Sequence, residues 1–518
     1  MSIILTTFFF AFSRLAIKCV SLIKLYFFVK LKHFLVIIAL VLSYGIGLNT
    51  VAQDSIPIYT KVHRKLLQME IPNALNLLEQ TNYKSTHHIY YNSYALFLEV
   101  VLGQRQNATD TVYQSISENI ILLKSQSPKD ALTLYYQADM YLMLCVVSIQ
   151  KQELVKAFSN YWAFYKQQKN NVKKYPDFVL NQKHQFIATV FQFWINSWLL
   201  NDNEDERKFW EEKYPTSLKN LLEKTESQPL IQQELFIIDA LLQTSFNNYS
   251  KVSLTCCSNE VALTTASPIA LYAQVLCFNK SNQQSSGLIA LQLADSLGYN
   301  KRIPMFDLML GVALLNQLDD NAVHFLERFI TNPAIENQIT FGKLKLAWYY
   351  FIFDDKDKEQ ALVSEILTSE NNTSPQDKQA VYEATHAVNW KTELLKSRLL
   401  FDGGNYTASA AVLLQNKNQV ANFKREQKLE YSYRLARAYH QLNDYKKAIL
   451  FYEMTIDTDF AADYYYPCYA AFYLGQVYQS INRNDLAAKY FQLCLHLDAP
   501  IYKSEIHKRA QKELRMLE

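Results

Sequence analysis

Apolar residues recur along this chain at three- and four-residue intervals, and the strict alternation of a half-buried strand does not appear. The pattern is clearest near the C-terminus. Leu429, Tyr431, Leu435, Ala436 and Tyr439 form one apolar set, a polar break follows at Asn443-Asp444, and Ala448, Tyr452 and Thr455 form the next. The same order returns with Cys468, Ala471, Leu474, Gly475 and Tyr478, a break at Asn482–Asn484, then Ala487, Phe491 and Cys494. Each set predicts an amphipathic helix, and each pair a helical hairpin. At the end Ile506, Ala510, Leu514 and Leu517 make one stripe, opposite Lys503, Lys508, Arg509, Lys512 and Arg515. That is the pattern of a terminal helix with one wet face.

In both hairpins a small residue of the first helix (Ala436, Gly475) precedes an alanine of the second (Ala448, Ala487) by 12 positions, and a large ring (Tyr452, Phe491) follows four later. Small residues let two helices approach closely, and Tyr439 and Tyr478 fill the space beside the contact. The set Leu435, Ala436, Tyr439, Ala448, Tyr452, Leu474, Gly475, Tyr478, Ala487 and Phe491 resembles the signature of the tetratricopeptide repeat (TPR), with Ser432 and Ala471 at a position usually bulky. The resemblance implies an all-α fold, an α-solenoid wound as a right-handed superhelix from TPR-like hairpins, closed by a C-terminal capping helix. Repeats are expected at about 392–425, 429–462 and 468–501, with the cap at 502–517. Segments such as Leu399–Asn405, Asp463–Pro467 and Tyr502–Lys508 are similar to exported TPR proteins of Gram-negative bacteria, a group with no established activity to transfer.

Upstream the copies decay. Tyr406 with Ser409-Ala-Ala411 reads as one, Leu310-Gly311, Leu314, Ala322 and Leu326 as another, and Cys145, Ala157, Tyr161 and Phe164 as a third. Ala74 and Ala108 lie one repeat length apart. Degenerate repeats are therefore expected over 53–375 and clear ones over 376–518, with Ser369–Pro375 as the boundary. Asn201–Glu206 and Ser281–Gly287 read as solvated, flexible turns.

Composition supports helices. Ten glycines and twelve prolines in 518 residues are too few for a chain built of strands and turns, or for glycine-rich phosphate loops. Charge alters the reading of the N-terminus. Residues 1–52 hold Arg14, Lys18, Lys24, Lys30 and Lys32 and no acid, so the chain beyond them is slightly acidic. No basic block remains for nucleic acid. Lys30–His33, the apolar run Phe34–Leu48, and Thr50 and Ala52 at −3 and −1 predict an export leader cleaved before Gln53. The alternative is a retained N-terminal anchor in the inner membrane, the only membrane contact expected. Residues 1–28 read either as an extension upstream of a start near Val29 or as part of such an anchor. The expected address is the periplasm or the outer membrane.

Candidate chemistry is sparse. Nucleotide, zinc-protease and hydrolase motifs are missing. His87-His88 has no acidic partner nearby and reads as surface. Cys145, Cys256, Cys257, Cys277, Cys468 and Cys494 show no zinc-ligand spacing; Cys145 and Cys494 fall on apolar faces and read as buried thiols, and Cys256-Cys257 stays open. Catalytic residues, cofactors and metals are not expected. The resemblance implies a concave face lined by Glu430, Tyr433, Arg437, His440 and Gln441, then Tyr469, Phe472, Gln476, Gln479 and Ser480. Family members that clamp a peptide carboxylate carry Lys and Asn where this chain has Tyr433 and Arg437, so that mode is not expected. Tyr433, Arg437, His440, Gln441, Phe472, Gln476 and Gln479 are the candidate groove for a protein or peptide partner. The function expected is a non-enzymatic exported scaffold, the alternative a glycan-binding envelope protein with a TPR-like frame.

Overall fold

The computed structural model describes residues 56–102, 108–126, 130–151, 153–200, 212, 214–224, 267–335, 337–370, 374–456, 464–499 and 503–517. The leader, Asn201–Glu206 and Cys256-Cys257 lie outside them. Every regular element among the described residues is helical. The chain forms two compact units, residues 1–307 with 332–337, and 308–331 with 338–518.

The first unit contains α1 (Ile56–Leu67), α2 (Ile71–Leu78), α3 (Thr86–Leu102), α4 (Thr109–Ser125), α5 (Ala131–Gln150), α6 (Leu154–Lys174), α7 (Asn181–Leu200), α8 (Tyr214–Lys224), α9 (Pro268–Lys280) and α10 (Gln284–Ser296). Helix α5 is 20 residues long and apolar enough to cross a membrane, yet α3, α4 and α6 pack around it and 94% of its most apolar 18-residue stretch is buried. An all-round apolar helix is what the centre of a helical layer requires. Arg302 holds the α1–α2 corner, reaching the Gln68 carbonyl at 2.9 Å and the Glu70 carboxylate at 3.4 Å.

Helix α11 (Met305–Leu315) leads into the second unit, followed by α12 (Ala322–Ile330), α13 (Ile339–Ile352), α14 (Lys356–Leu367), α15 (Pro375–Thr385), α16 (Thr392–Asp402), α17 (Tyr406–Gln415), α18 (Arg425–Gln441), α19 (Tyr445–Ile456), α20 (Tyr466–Ser480), α21 (Asn484–His496) and the terminal α22 (Lys503–Leu517). The segments read as repeats, 392–425, 429–462 and 468–501, and the segment read as the cap, 502–517, carry α16–α17, α18–α19, α20–α21 and α22. The hairpins α11–α12 and α13–α14 belong to the same unit, which therefore starts upstream of Ser369–Pro375.

One turn is repeated through the array. Met69, Asn282, Leu318, Asp354, Gly404, Asn443 and Asn482 all have left-handed backbone at the end of a hairpin's first helix. Each is followed by an N–H that bonds five residues back, as in Asp319 to Leu314, Asp355 to Tyr350, Asp444 to Tyr439 and Arg483 to Tyr478. This is the helix-ending motif that stops a first helix and turns the chain into a second. Asn tolerates the left-handed region; Leu318 and Asp354 occupy it because the bond pattern holds them there.

The packing follows the expected seam. Leu435, Ala436, Ala448, Tyr452, Leu474, Ala487 and Phe491 are fully buried, Tyr439 nearly so, and Tyr478 half-buried. A Cβ at Gly475 would sit 2.6 Å from the Phe491 ring, so the ring packs directly on the backbone. Gly311 takes Leu326 in the same way, at 2.7 Å. Cys145, Ala157, Tyr161 and Phe164 are buried at the α5–α6 contact, as their spacing predicts. Two details correct the sequence reading. Ala74 is buried in mid-helix while Ala108 precedes α4, so their spacing marks no repeat. Only Ser281–Gln283 forms a turn; Gly287 lies within α10.

Candidate functional site

The left-handed residues recur 36 apart from Asn282 through Leu318 to Asp354, and 39 apart from Gly404 through Asn443 to Asn482. Between Asp354 and Gly404 the interval is 50. The excess is α15 and the short 3-10 turn Ala387–Asn389, inserted between hairpins. Ser369–Pro375, expected as a domain boundary, is the entry to this insertion. Ser374 caps α15, accepting from the Asp377 N–H, and Pro375 supplies its first turn. The Asp377 carboxylate in turn accepts from the N–H groups of Gln338 and Phe341 at the start of α13, which fastens the insertion to that hairpin.

A cleft opens where the array is interrupted. Tyr382, Glu383 and His386 come from the insertion, Trp390 follows it, Arg398 comes from α16, Glu426 and Glu430 from α18, and Tyr464–Tyr466 from the entry to α20. Its enclosed volume is about 60 Å³, and it opens to solvent. Trp348 of α13 forms the floor and Trp390 meets it edge-on, with centroids 6.4 Å apart. The N-terminal end of α18 is tied to the insertion: Gln427 donates to the Asn389 carbonyl at 2.9 Å, and Asn389 donates to Glu426 at 3.0 Å.

Charges line the wall. The Arg398 guanidinium lies 4.6 Å above Trp348 and pairs with Glu383 at 2.9 Å. Burial opposes the charge on Glu383, but Arg398 outweighs it and holds that carboxyl below the usual range. Arg434 donates through Nε to Glu430 at 2.6 Å. Glu426 is pushed up, first by burial and then by Glu430. The result is a pocket of rings with paired charges at its edge, able to accept and donate hydrogen bonds around an apolar body. Deeper in α13, Lys345 stacks 3.8 Å over Trp348, and no carboxylate among the described residues reaches it as an ion pair. Burial, then Arg398, brings its ammonium down to about 7.

The groove expected from sequence lies one hairpin later and is largely closed. Tyr433, Arg437 and His440 do share one helical stripe, but the stripe is an interlock between hairpins. Tyr433 is 5% exposed and meets Tyr465 edge-on and Tyr466 at a tilt; Phe472 is fully buried against Phe491. Arg437 donates to the Tyr433 hydroxyl and its guanidinium lies over Tyr473 at 4.2 Å and Phe401 at 4.6 Å, so rings of three helices surround it. His440 leans on Tyr452, and burial with Arg437 lowers it to about 4, leaving it neutral. Gln441 is exposed and Gln476 and Gln479 half-buried, which leaves the amides, not the anchoring rings, at the surface. The cause is tertiary: the following first helix covers the aromatic positions of its predecessor.

Sequence reasoning missed Trp390, Tyr382, Arg398 and Glu430 as a group. The available signal was the Tyr464-Tyr-Tyr466 run together with the overlong interval after Asp354. His87 is half-buried and stacks on Tyr59 at 4.8 Å, so it is part of an aromatic layer and not plain surface.

The tetratricopeptide repeat family model matches residues 432–461, the hairpin α18–α19. This chain contains a TPR. No curated protein matches it. TPR hairpins are commonly protein–protein interaction scaffolds, and the array described above is all-α.

Proposed function

We propose that the protein is an exported, non-enzymatic scaffold, in the periplasm or at the outer membrane, whose C-terminal hairpins hold a short segment of a protein partner. The observation that carries this reading is the ring-walled cleft at the interruption of the repeat array. Trp390 and Tyr382 are half-buried and offer faces to an apolar side chain. Glu426, Glu430 and Arg398 stand beside them to meet backbone or polar groups. Aromatic and Arg side chains are the types that most often dominate binding energy. The exported address rests on the leader pattern of residues 30–53 alone.

The test is selection of peptides from a random displayed library against the purified chain, with oligosaccharides run in parallel. Enriched peptides should bind with a change in tryptophan fluorescence. Trp390→Ala should weaken them at least tenfold with little change in melting temperature. Phe472→Ala, by contrast, should lower the melting temperature first, since emptying such a buried site costs about 3–5 kcal/mol. Peptide binding unaffected by Trp390→Ala would move the site off this cleft, and sugar binding in place of peptide binding would replace the reading with the glycan one.

A further inference from the structure

Cys468, Cys494 and His507 lie far apart in sequence and come together at the junction of the last hairpin and the terminal helix. Cys468 is on α20, Cys494 on α21 and His507 on α22. Both sulfurs are fully buried, and the two Sγ atoms are 3.7 Å apart. A His507 ring nitrogen completes a set whose three atoms all lie within 4.8 Å of one another. We propose that these residues form a zinc site, in which Cys468 and Cys494 supply thiolates, His507 supplies a neutral imidazole, and water takes the fourth position.

The geometry carries this in three ways. Tetrahedral zinc with bonds of about 2.3 Å to sulfur holds two thiolates about 3.8 Å apart, close to the observed separation. The His507 Nε2 lies 3.1 Å from the Leu497 carbonyl, which can only accept, so Nε2 carries the proton and Nδ1 keeps its lone pair. A ligating histidine is usually oriented in this way, by donating its other nitrogen to a carbonyl. His507 is half-buried while the cysteines are buried, which leaves one side of the set toward solvent for a water ligand and for entry of the ion. On binding, the two thiol protons pass to water and two Zn–S bonds and one Zn–N bond form. The consequence is structural. One ion would tie all three terminal helices together at the end of the array, where a repeat protein has a neighbour on one side only.

Zinc titration of the full chain, reduced and stripped of metal, against a chromophoric chelator tests the proposal. One equivalent should bind, and cobalt(II) in its place should give a sulfur-to-metal charge-transfer band. His507→Ala and Cys494→Ser should each weaken zinc at least tenfold, while Cys145→Ser leaves it unchanged. Zinc should raise the melting temperature of the parent chain and not that of His507→Ala, which changes only a half-buried residue. Failure of the reduced chain to retain zinc would overturn the proposal. So would equal affinity in His507→Ala, or peptide mapping of the native protein that finds Cys468 and Cys494 joined as a disulfide.

Discussion

The two units use one hairpin turn but treat buried polar groups in opposite ways. In the first unit a charged group is buried at the centre of one network around α5. Asp139, fully buried in α5, accepts from the Tyr90 hydroxyl at 2.6 Å and from His184 Nε2 at 3.0 Å. Burial opposes the Asp139 charge, yet Lys183, His184 and Tyr90 together hold its carboxyl below the usual range. His184 is pushed down chiefly by burial, so it stays neutral and donates; its ring stacks on Tyr135 at 4.0 Å. In the second unit several cations lie over rings from one helix to the next: Lys345 and Arg398 on Trp348, Arg437 on Tyr473, Arg509 on Phe472 at 4.6 Å. A network fixes one arrangement of many helices. Cation–ring contacts repeated at each junction suit an array in which each hairpin meets mainly its neighbours.

The contrast can be broken most severely at Asp139. Replacing it with Ala leaves Tyr90 and His184 facing an empty, dry site and should cost about 3–5 kcal/mol in chemical denaturation. A cost below about 1 kcal/mol would mean that the network is incidental to the first unit's stability. The seam of the second unit should respond less. Ala487→Leu should cost about 1–3 kcal/mol by overpacking at a site with no exposure, whereas exposed Ser480→Leu should stay within about 0.5 kcal/mol. Equal melting temperatures for those two variants would contradict the register of α20 against α21.

The smallest effect is a gain, and pH reveals it. Lys345 has its ammonium lowered from 10.5 to about 7, so between those values the unfolded chain binds a proton that the folded chain rejects. Parent stability should therefore fall as pH drops through this window and level off below about 7. Lys345→Met removes that loss along with the ring contact. It should be more stabilising at pH 6 than at pH 10, by on the order of 1 kcal/mol once the lost cation–ring attraction is set against it. A difference that does not change with pH would show that Lys345 is charged in the fold at every pH tested.

Much of the second unit was legible because its signals are local. The twelve-residue interval from Ala436 to Ala448 and from Gly475 to Ala487 states which residues meet, since two helices and one fixed turn separate them. The charged wall of the cleft was not legible. Arg398 and Glu383 sit on different helices across the inserted turn, and nothing in their spacing announces the pair. His184 and Asp139 were hidden for the same reason.

What the sequence determined by itself is the helical hairpin: its length, its turn and its buried seam, all set by periodicity and small-to-large spacing within some forty residues. Tertiary structure alone decided which faces stayed open. Tyr433 and Phe472 look like binding anchors on an isolated helix, but stacking of the next hairpin buries them. The extra residues between Asp354 and Gly404 keep a neighbouring hairpin from closing in the same way, and so leave Trp390 and Tyr382 within reach of a partner. The meeting of Cys468, Cys494 and His507 likewise depends on three helices packing together, a distance relation that no linear spacing encodes.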